Sequence, residues 1–198
     1  MKGWEMVPLE GLGKITSSKR IFKNEYVETG IPFYRTKEIK ELANGKKVST
    51  ELYISKDKFD EINQKFGAPA IGDLLVTAIG TIGEIYVVDN TDFYFKDGNV
   101  LWLKDFKDMS PDFLKYSLMA FVDELNSLSH GSAYSALPIE KLKKHKILKP
   151  PIDEQKRIVA IVDQAFEAID GAIENTKQNL ANARKLFESY LNDVYPEK

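Results

Sequence analysis

The feature that most constrains this chain is its C-terminal segment from Ile152 to Val194, which contains no proline and a single glycine, Gly171. Apolar or small side chains recur there in steps of four and three residues, which is the spacing of a coiled-coil seam. We therefore predict one continuous helix of about 60 Å, at about 1.5 Å per residue. The predicted seam consists of Ile158, Val162, Ala165, Ile169, Ala172, Thr176, Asn179, Ala183, Leu186 and Tyr190.

A helix of this length is longer than a small domain is wide, which is about 30 Å. Its seam therefore needs a partner, and the polar seam residue Asn179 is of the kind that fixes register in coiled coils. The alternative is that the segment folds back as two shorter helices around Gly171 or Asn179.

The first 150 residues predict a mixed α/β (α+β) domain, because short apolar runs punctuated by glycine alternate with helical patterns. One helix is predicted from Lys56 to Phe66 with Ser55 as its N-cap, and Ser110 with Pro111 predicts the start of another. The consecutive prolines Pro150 and Pro151 mark a boundary. We expect a globular domain over residues 1–150 and a helical segment over residues 151–198. Strands are predicted around Ile31–Tyr34, Ile85–Val88, Phe93–Phe95 and Val100–Leu103, and Ile71–Thr77 is predicted as a turn that leads into a β-rich run.

The net charge of −2 conceals an uneven distribution of charge. Residues 1–150 carry 22 basic and 21 acidic side chains, whereas residues 151–198 carry 6 basic and 9 acidic ones. Within the first part, Lys14 to Lys47 holds nine basic and four acidic residues, and Glu140 to Pro150 holds five lysines and one glutamate. Because phosphate binding depends on the local field, two basic segments in one domain favour a polyanionic partner over solvated surface charge alone.

The sequence lacks the residues that several classes of function require. The chain has no cysteine and only two histidines, His130 and His145, which excludes disulfide frameworks, thiolate metal sites and cysteine nucleophiles. Glycine-rich phosphate loops and nucleophile elbows are absent. Asp112, Glu154 and Lys156 could be read as a magnesium-dependent nuclease site, but Glu154 and Lys156 begin the predicted helix and would point to different faces. No apolar run approaches the ~18–20 residues of a membrane span, so we expect a cytoplasmic protein.

One segment carries a family resemblance. Residues 148–159 read Leu-Lys-Pro-Pro-Ile-Asp-Glu-Gln-Lys-Arg-Ile-Val. This resembles the Pro-Pro-x-x-Glu-Gln-x-x-Ile signature that closes a target-recognition domain in the DNA-specificity subunits of type I restriction–modification enzymes. The physical logic agrees: two prolines delay the start of the helix, and Asp153 and Glu154 then favour its positive N-terminus.

The resemblance has one departure. Family members resemble two such units in tandem, each with a recognition domain and a long helix, whereas this chain holds one of each. It is a half-sized subunit or a fragment. A lone helix would leave its seam exposed, so we expect a homodimer through an antiparallel pair of these helices, and a palindromic, bipartite DNA target.

The resemblance implies that the first 150 residues bind duplex DNA, with phosphate contacts supplying affinity and base contacts supplying specificity. Arg35, which follows a strand, is the candidate for bidentate guanine reading. Thr81 lies in a Gly-x-x-Gly turn, and Ser132 and Tyr134 lie in a polar loop. The predicted DNA-binding residues are Ser18, Lys19, Arg20, Lys23, Arg35, Lys37, Thr81, Ser132, Tyr134, Lys141, Lys143 and Lys144.

The same resemblance implies that the chain catalyses nothing and holds no cofactor or metal. S-adenosylmethionine, ATP and Mg²⁺ would be bound by partner methyltransferase (modification) and restriction subunits, which the specificity subunit recruits. A competing hypothesis from another class is a coiled-coil adaptor whose globular domain binds protein instead of DNA.

Overall fold

The computed structural model describes residues 3–79, 82–89, 92–96, 98–128, 137 and 139–195. The chain divides into two compact units: an N-terminal unit, Met1–Lys156, and a C-terminal unit, Arg157–Lys198. The expected α/β domain followed by a long C-terminal helix is confirmed. The strands are β1 (Glu5–Pro8), β2 (Lys14–Thr16), β3 (Tyr26–Val27), β4 (Ile31–Tyr34), β5 (Tyr53–Ile54), β6 (Leu74–Thr77), β7 (Ile85–Val87), β8 (Tyr94–Phe95), β9 (Val100–Lys104) and β10 (Lys146–Lys149); the helices are α1 (Thr36–Ala43), α2 (Lys56–Phe66), α3 (Pro111–Leu128), α4 (Ile139–Lys144) and α5 (Ile152–Val194).

Two four-stranded sheets organise the N-terminal unit. The first has the strand order β2-β9-β6-β7 and is antiparallel throughout; the second has the order β3-β5-β4-β8, in which β4 and β8 are parallel. The central strands β6 and β9 read as uninterrupted apolar runs because every residue of β6 and the first four of β9 are buried. Strands β1 and β10 form a separate antiparallel pair.

An aromatic cluster packs against the first sheet. Tyr34 and Phe93 stack with ring centroids 4.7 Å apart, and Phe95 meets Trp102 edge to face at 5.8 Å. All four rings are buried. Such pairs add specific geometry to the burial of apolar area, which fixes the positions of β4, β8 and β9 relative to one another.

The two helix starts predicted in the N-terminal unit are confirmed. The Ser55 hydroxyl oxygen accepts a hydrogen bond from the Lys58 backbone N–H at 3.2 Å, and α2 spans the predicted residues. Helix α3 begins at Pro111, after Ser110. Helix α1 was not predicted, since Arg35 at its N-cap is not a capping residue. The Glu38 carboxylate instead accepts the Arg35 backbone N–H at 2.8 Å.

Gln155 fastens the first turn of α5, which lies within the N-terminal unit, to the loop before α3. Its side-chain amide is buried and donates to the carbonyl oxygens of Pro150 at 2.8 Å and Asp108 at 3.0 Å, while its Oε1 accepts the Ser110 backbone N–H at 2.8 Å. Asp108 has a positive φ of 50°, an unusual conformation for a residue other than glycine. The glutamine of the Pro-Pro-x-x-Glu-Gln segment therefore holds together the loop before α3 and the start of α5.

Helix α5 is continuous over 43 residues, which corresponds to about 65 Å. The alternative of two shorter helices is wrong, because neither Gly171 nor Asn179 interrupts it. A side chain at Gly171 would meet only open space, so the glycine is not required by packing. Among the described residues, no helix is both long and apolar enough to cross a membrane.

Candidate nucleic-acid interface

A lysine groove of about 480 Å³ lies on one face of the β2–β9 pair. Lys14 is the direct antiparallel partner of Lys104, and Thr16 is the partner of Trp102. Because successive side chains on a strand point to opposite faces, these four side chains lie on the same face of the β2–β9 pair. Like charges placed directly opposite each other destabilise a sheet, and here the Asp105 carboxylate, which interacts with both lysines, offsets part of that repulsion. The groove is lined by Lys14, Thr16, Ser17, Ser18, Lys19, Phe66, Tyr94, Trp102 and Lys104.

Aromatic rings hold two of the three ammonium groups in the groove. Lys104 Nζ lies 3.6 Å from the centroid of the Trp102 ring, and Lys19 Nζ lies 4.2 Å from the centroid of the Phe66 ring. These cation–π contacts orient the lysines without neutralising them. Within the described ranges neither lysine forms an ion pair with a carboxylate, whereas Lys14 pairs with Asp105 at 2.8 Å. The groove therefore holds two positioned ammonium groups, of which that of Lys104 also interacts electrostatically with the carboxylates of Asp73 and Asp105.

Trp102 is itself fixed by a half-buried carboxylate. Its Nε1–H donates to the Asp73 carboxylate at 2.8 Å, and the same carboxylate accepts the Ala70 backbone N–H at 2.9 Å. Burial raises the pKa of Asp73, and these two hydrogen bonds oppose that effect. The hydrogen bond to Asp73 thus fixes the Trp102 ring, against which the Lys104 ammonium group lies.

Ser18 supports the groove from inside rather than presenting its hydroxyl to solvent. The residue is buried, and its hydroxyl donates to the Phe95 carbonyl oxygen at 2.7 Å. The next residue, Lys19, donates its backbone N–H to the Tyr94 hydroxyl at 2.9 Å. These bonds attach the segment after β2 to β8, which places Lys19 at the groove.

Arg35 is already engaged by a buried partner. Its guanidinium donates through Nε at 3.2 Å and through Nη2 at 2.7 Å to the carboxylate of Glu38, whose side chain is fully buried while that of Arg35 is 39% exposed. Burial raises the pKa of Glu38, but the hydrogen bonds from Arg35 outweigh it, so the pKa lies below its ordinary value. Guanine reading by Arg35 would have to use the guanidinium hydrogens that Glu38 leaves, chiefly those on Nη1.

The remaining predicted residues fall into three groups. Arg20, Lys23 and Lys37 are exposed, and Lys37 pairs with Glu41 at 3.7 Å. Thr81, Ser132 and Tyr134 lie outside the described residues.

The third group forms a second basic cluster on and after α4. Lys141 and Lys144 line a depression of about 350 Å³ together with Phe121, Glu140 and His145, and the His145 ring stacks on Phe121 at 3.7 Å. Lys143 pairs with Glu140 at 3.0 Å. The basic segment after Glu140 is therefore a local cluster, as its charge predicted.

Sequence reasoning missed Lys104, Trp102 and Phe66. The groove depends on pairing β2 with β9, which are far apart in the chain, and neither strand alone is rich in basic residues.

The structure gives no support to the nuclease hypothesis. Glu154 and Lys156 lie in the first turns of α5, and no group of three or more His, Asp or Glu side chains within the described ranges could hold a metal ion.

Most of the predicted seam of α5 is exposed, as judged on the residues that the structure describes. Ile158 and Val162 are half-buried, and the other eight seam residues are exposed. A second row was missed, although its strict seven-residue recurrence was readable from the sequence. It consists of Val159, Phe166, Ile173, Leu180, Phe187 and Val194.

Comparison with known proteins gives a consistent set of relatives. A family model described as type I restriction modification DNA specificity domain matches residues 1–182. The chain is similar to the putative type I restriction enzyme specificity subunit S.HindORF215P of Haemophilus influenzae, with 34% identity over 188 residues. That match covers 94% of this chain and 46% of the relative, so the chain spans about half the relative's length.

Solved structures share the fold. A chain from a study of complex assembly and conformational transition of the type I R-M system superimposes with a TM-score of 0.76 at 20% identity, covering 97% of this chain and 45% of the other. The HsdS subunit from Thermoanaerobacter tengcongensis gives a TM-score of 0.72 at 20% identity, with 98% and 45% covered.

Proposed function

The chain belongs to the type I restriction–modification DNA specificity family, and from this membership we propose that its N-terminal unit binds duplex DNA in a sequence-specific manner. In this proposal the chain is a specificity subunit that catalyses no reaction itself. Phosphate contacts give affinity and register, and contacts to base edges select the sequence.

The lysine groove is the observation that carries this proposal. Lys19 and Lys104 are rigidly placed by aromatic rings, and Lys14 faces Lys104 across the β2–β9 ladder. A protein partner would be expected to offer this groove separate carboxylates, whereas a DNA backbone offers a regular line of phosphates. The second basic cluster around α4 extends the same preference for a polyanion.

We further propose that the chain forms a homodimer, in which the second copy supplies the half that its relatives carry in the same polypeptide. The chain covers under half of its relatives' lengths, and most of the apolar stripe of α5 is exposed in the part of the chain that the structure describes. Pairing two α5 helices antiparallel would bury this stripe and relate two N-terminal units by two-fold symmetry. A homodimer of this kind would read two identical, inverted half-sites.

The chemistry would belong to other polypeptides. Methyltransferase subunits with S-adenosylmethionine and restriction subunits with ATP and Mg²⁺ would dock on the specificity subunit and be directed to its DNA target. This part of the proposal rests on the family, in which one structural relative comes from a study of type I R-M complex assembly.

Replacing Lys19 and Lys104 together by alanine should weaken duplex binding by about ten- to a hundredfold at about 0.1 M salt, because two phosphate contacts are lost per chain. The slope of log affinity against log salt should fall by about two per chain. Fluorescence anisotropy of a labelled duplex, titrated at several salt concentrations, measures both quantities.

The matched control is the double variant Lys56→Ala with Lys65→Ala. It removes the same charge from α2, where both lysines are already paired with Asp60 and Glu61. Equal losses in the two double variants would contradict a role for the groove. A wild-type chain indifferent to DNA would favour the adaptor hypothesis, and Mg²⁺-dependent cleavage by the chain alone would favour the nuclease hypothesis.

A further inference from the structure

Helix α5 carries two apolar rows that run side by side. The first, called the a row, is Val159, Phe166, Ile173, Leu180, Phe187 and Val194; the second, called the d row, is Val162, Ile169, Thr176, Ala183 and Tyr190. Steps from one row to the other are three and four residues, as in a coiled coil. The hydroxyl of Thr176, in the middle of the d row, donates to the Ala172 carbonyl oxygen at 2.7 Å. It can therefore be buried without losing its hydrogen bond.

A charged row flanks this stripe, one position after the d row. Its first four members are Asp163, Asp170, Lys177 and Arg184, and its fifth is the uncharged Leu191, so that the two acidic residues precede the two basic ones along the helix. Asp170, Lys177 and Arg184 form no ion pair with their own chain in the part that the structure describes. This order of charges is complementary to itself when a second copy runs in the opposite direction.

The complementarity selects one register. Asp163 falls opposite the partner's Arg184, and Asp170 falls opposite the partner's Lys177, because both pairs are centred between residues 173 and 174. The apolar rows agree: in a register centred between residues 174 and 175, the large Phe166 faces the partner's small Ala183, and Ile169 faces the partner's Leu180. The register that the charges favour and the register that the apolar rows favour differ in their centres by one residue. Paired charges are therefore offset along the helix by about 3 Å, a distance that long lysine and arginine side chains span.

Other arrangements lose these pairs. A shift of one heptad in one direction brings Asp170 against the partner's Asp170, and a shift in the other direction brings Lys177 against the partner's Lys177. A parallel pair would set the charged row beside the partner's uncharged Ala165, Ala172 and Asn179. Each shifted register keeps two opposite-charge pairs but adds a like-charge pair, whereas the antiparallel, fully overlapping register forms four opposite-charge pairs along this row and no like-charge pair.

We propose that α5 recognises a second copy of itself through this charged row. Its two acidic residues face the partner's two basic residues on either side of a two-fold axis near Ile173 and Thr176. This inference rests on the proposed antiparallel homodimer and adds its register and the residues that select it. It makes the helix specific for its own kind, since a helix with another order of charges would meet like charges.

Two single variants test the charged row: Asp170→Lys and Lys177→Asp. Each places like charges opposite each other twice in a homodimer, and each should raise the dimer Kd by about tenfold or more. An equimolar mixture should recover wild-type affinity, because in the mixed dimer Lys at position 170 faces Asp at position 177. Sedimentation equilibrium on the full chain measures these constants, and about 1 M salt should reduce the differences.

The control variant is Glu174→Lys, which changes charge by the same amount at a helix position away from both rows and should leave the dimer Kd within about twofold. A mixture no tighter than the two single variants would overturn the proposed register.

Disulfide trapping separates orientation from dimerisation, and the chain has no cysteine of its own to interfere. A mixture of Phe166→Cys and Ala183→Cys chains should cross-link on oxidation, whereas Ile169→Cys alone should not. The reverse outcome would show a parallel dimer, which overturns the register but not the homodimer. A chain that stays monomeric at all concentrations would overturn both.

Discussion

Replacing Ile169 with aspartate should convert the chain from a dimer to a monomer at micromolar concentration. Ile169 belongs to both the predicted seam and the d row, and its side chain is 53% exposed in the single chain. The substitution would bury one uncompensated carboxylate from each copy at the interface, which costs several kcal/mol per charge. The dimer Kd should therefore rise by about a thousandfold or more, measured by sedimentation or light scattering.

The chain offers a closely matched control at Ile161. This residue is 51% exposed and lies on α5, but outside both apolar rows. Ile161→Asp should leave the dimer intact and should keep the N-terminal unit folded, as should Ile169→Asp. Equal dissociation by both variants would show that the substitution harms the helix in general instead of the interface.

Replacing Gln155 with alanine should lower the free energy of unfolding of the N-terminal unit by about 2–4 kcal/mol. The variant removes three hydrogen bonds and leaves the carbonyl oxygens of Pro150 and Asp108 and the backbone N–H of Ser110 without their partner. Gln155→Glu should do no better, because a carboxylate accepts from Ser110 but has no N–H to donate to the two carbonyls. Urea unfolding followed by tryptophan fluorescence measures the effect.

Gln178→Ala provides the comparison. Gln178 lies on the same helix, is exposed, and bonds only to the exposed Asn182 at 3.2 Å, so its loss should cost about 0.5 kcal/mol or less. If the two variants unfolded at the same urea concentration, the assignment of Gln155 as the residue that fastens the first turn of α5 to the loop before α3 would be wrong.

Elements governed by local signals were predictable from the sequence. Ser55 caps α2, Pro111 begins α3, and the heptad spacing after Pro151 predicts α5. In each case the residues that decide the structure lie within one or two turns of the element itself. Helix α1 escaped notice because its N-cap bond comes from Glu38 reaching back to the Arg35 backbone, a contact without the usual Ser, Thr, Asp or Asn signal.

The candidate site was only partly predictable, for a different reason. The groove places Lys14 opposite Lys104, and Lys19 next to Phe66, through strand pairing and turns between distant segments. Charge counting along the chain drew attention to Lys19 but passed over Lys104, which stands in an acidic region. The same counting nominated Ser18, whose burial only the fold reveals.

The apolar rows of α5 show a third situation. Two different rows, one beginning at Ile158 and one beginning at Val159, each give coiled-coil spacing when combined with the d row. Periodicity alone does not choose between them. The order of Asp163, Asp170, Lys177 and Arg184 supplies the additional constraint, and it was present in the sequence from the start. Cross-linking between Phe166→Cys and Ala183→Cys chains decides which of the two rows lies at the centre of the interface.

The central claim, that this chain is half of a symmetrical DNA reader, is tested most directly by selection from a random duplex pool. The full chain would be incubated with the pool at about 0.15 M salt, and the bound duplexes would be sequenced. The account predicts enrichment of two identical half-sites in inverted orientation, separated by a spacer of fixed length and unconstrained sequence. Enrichment of a single undivided asymmetric site, or of no sequence at all, would contradict it.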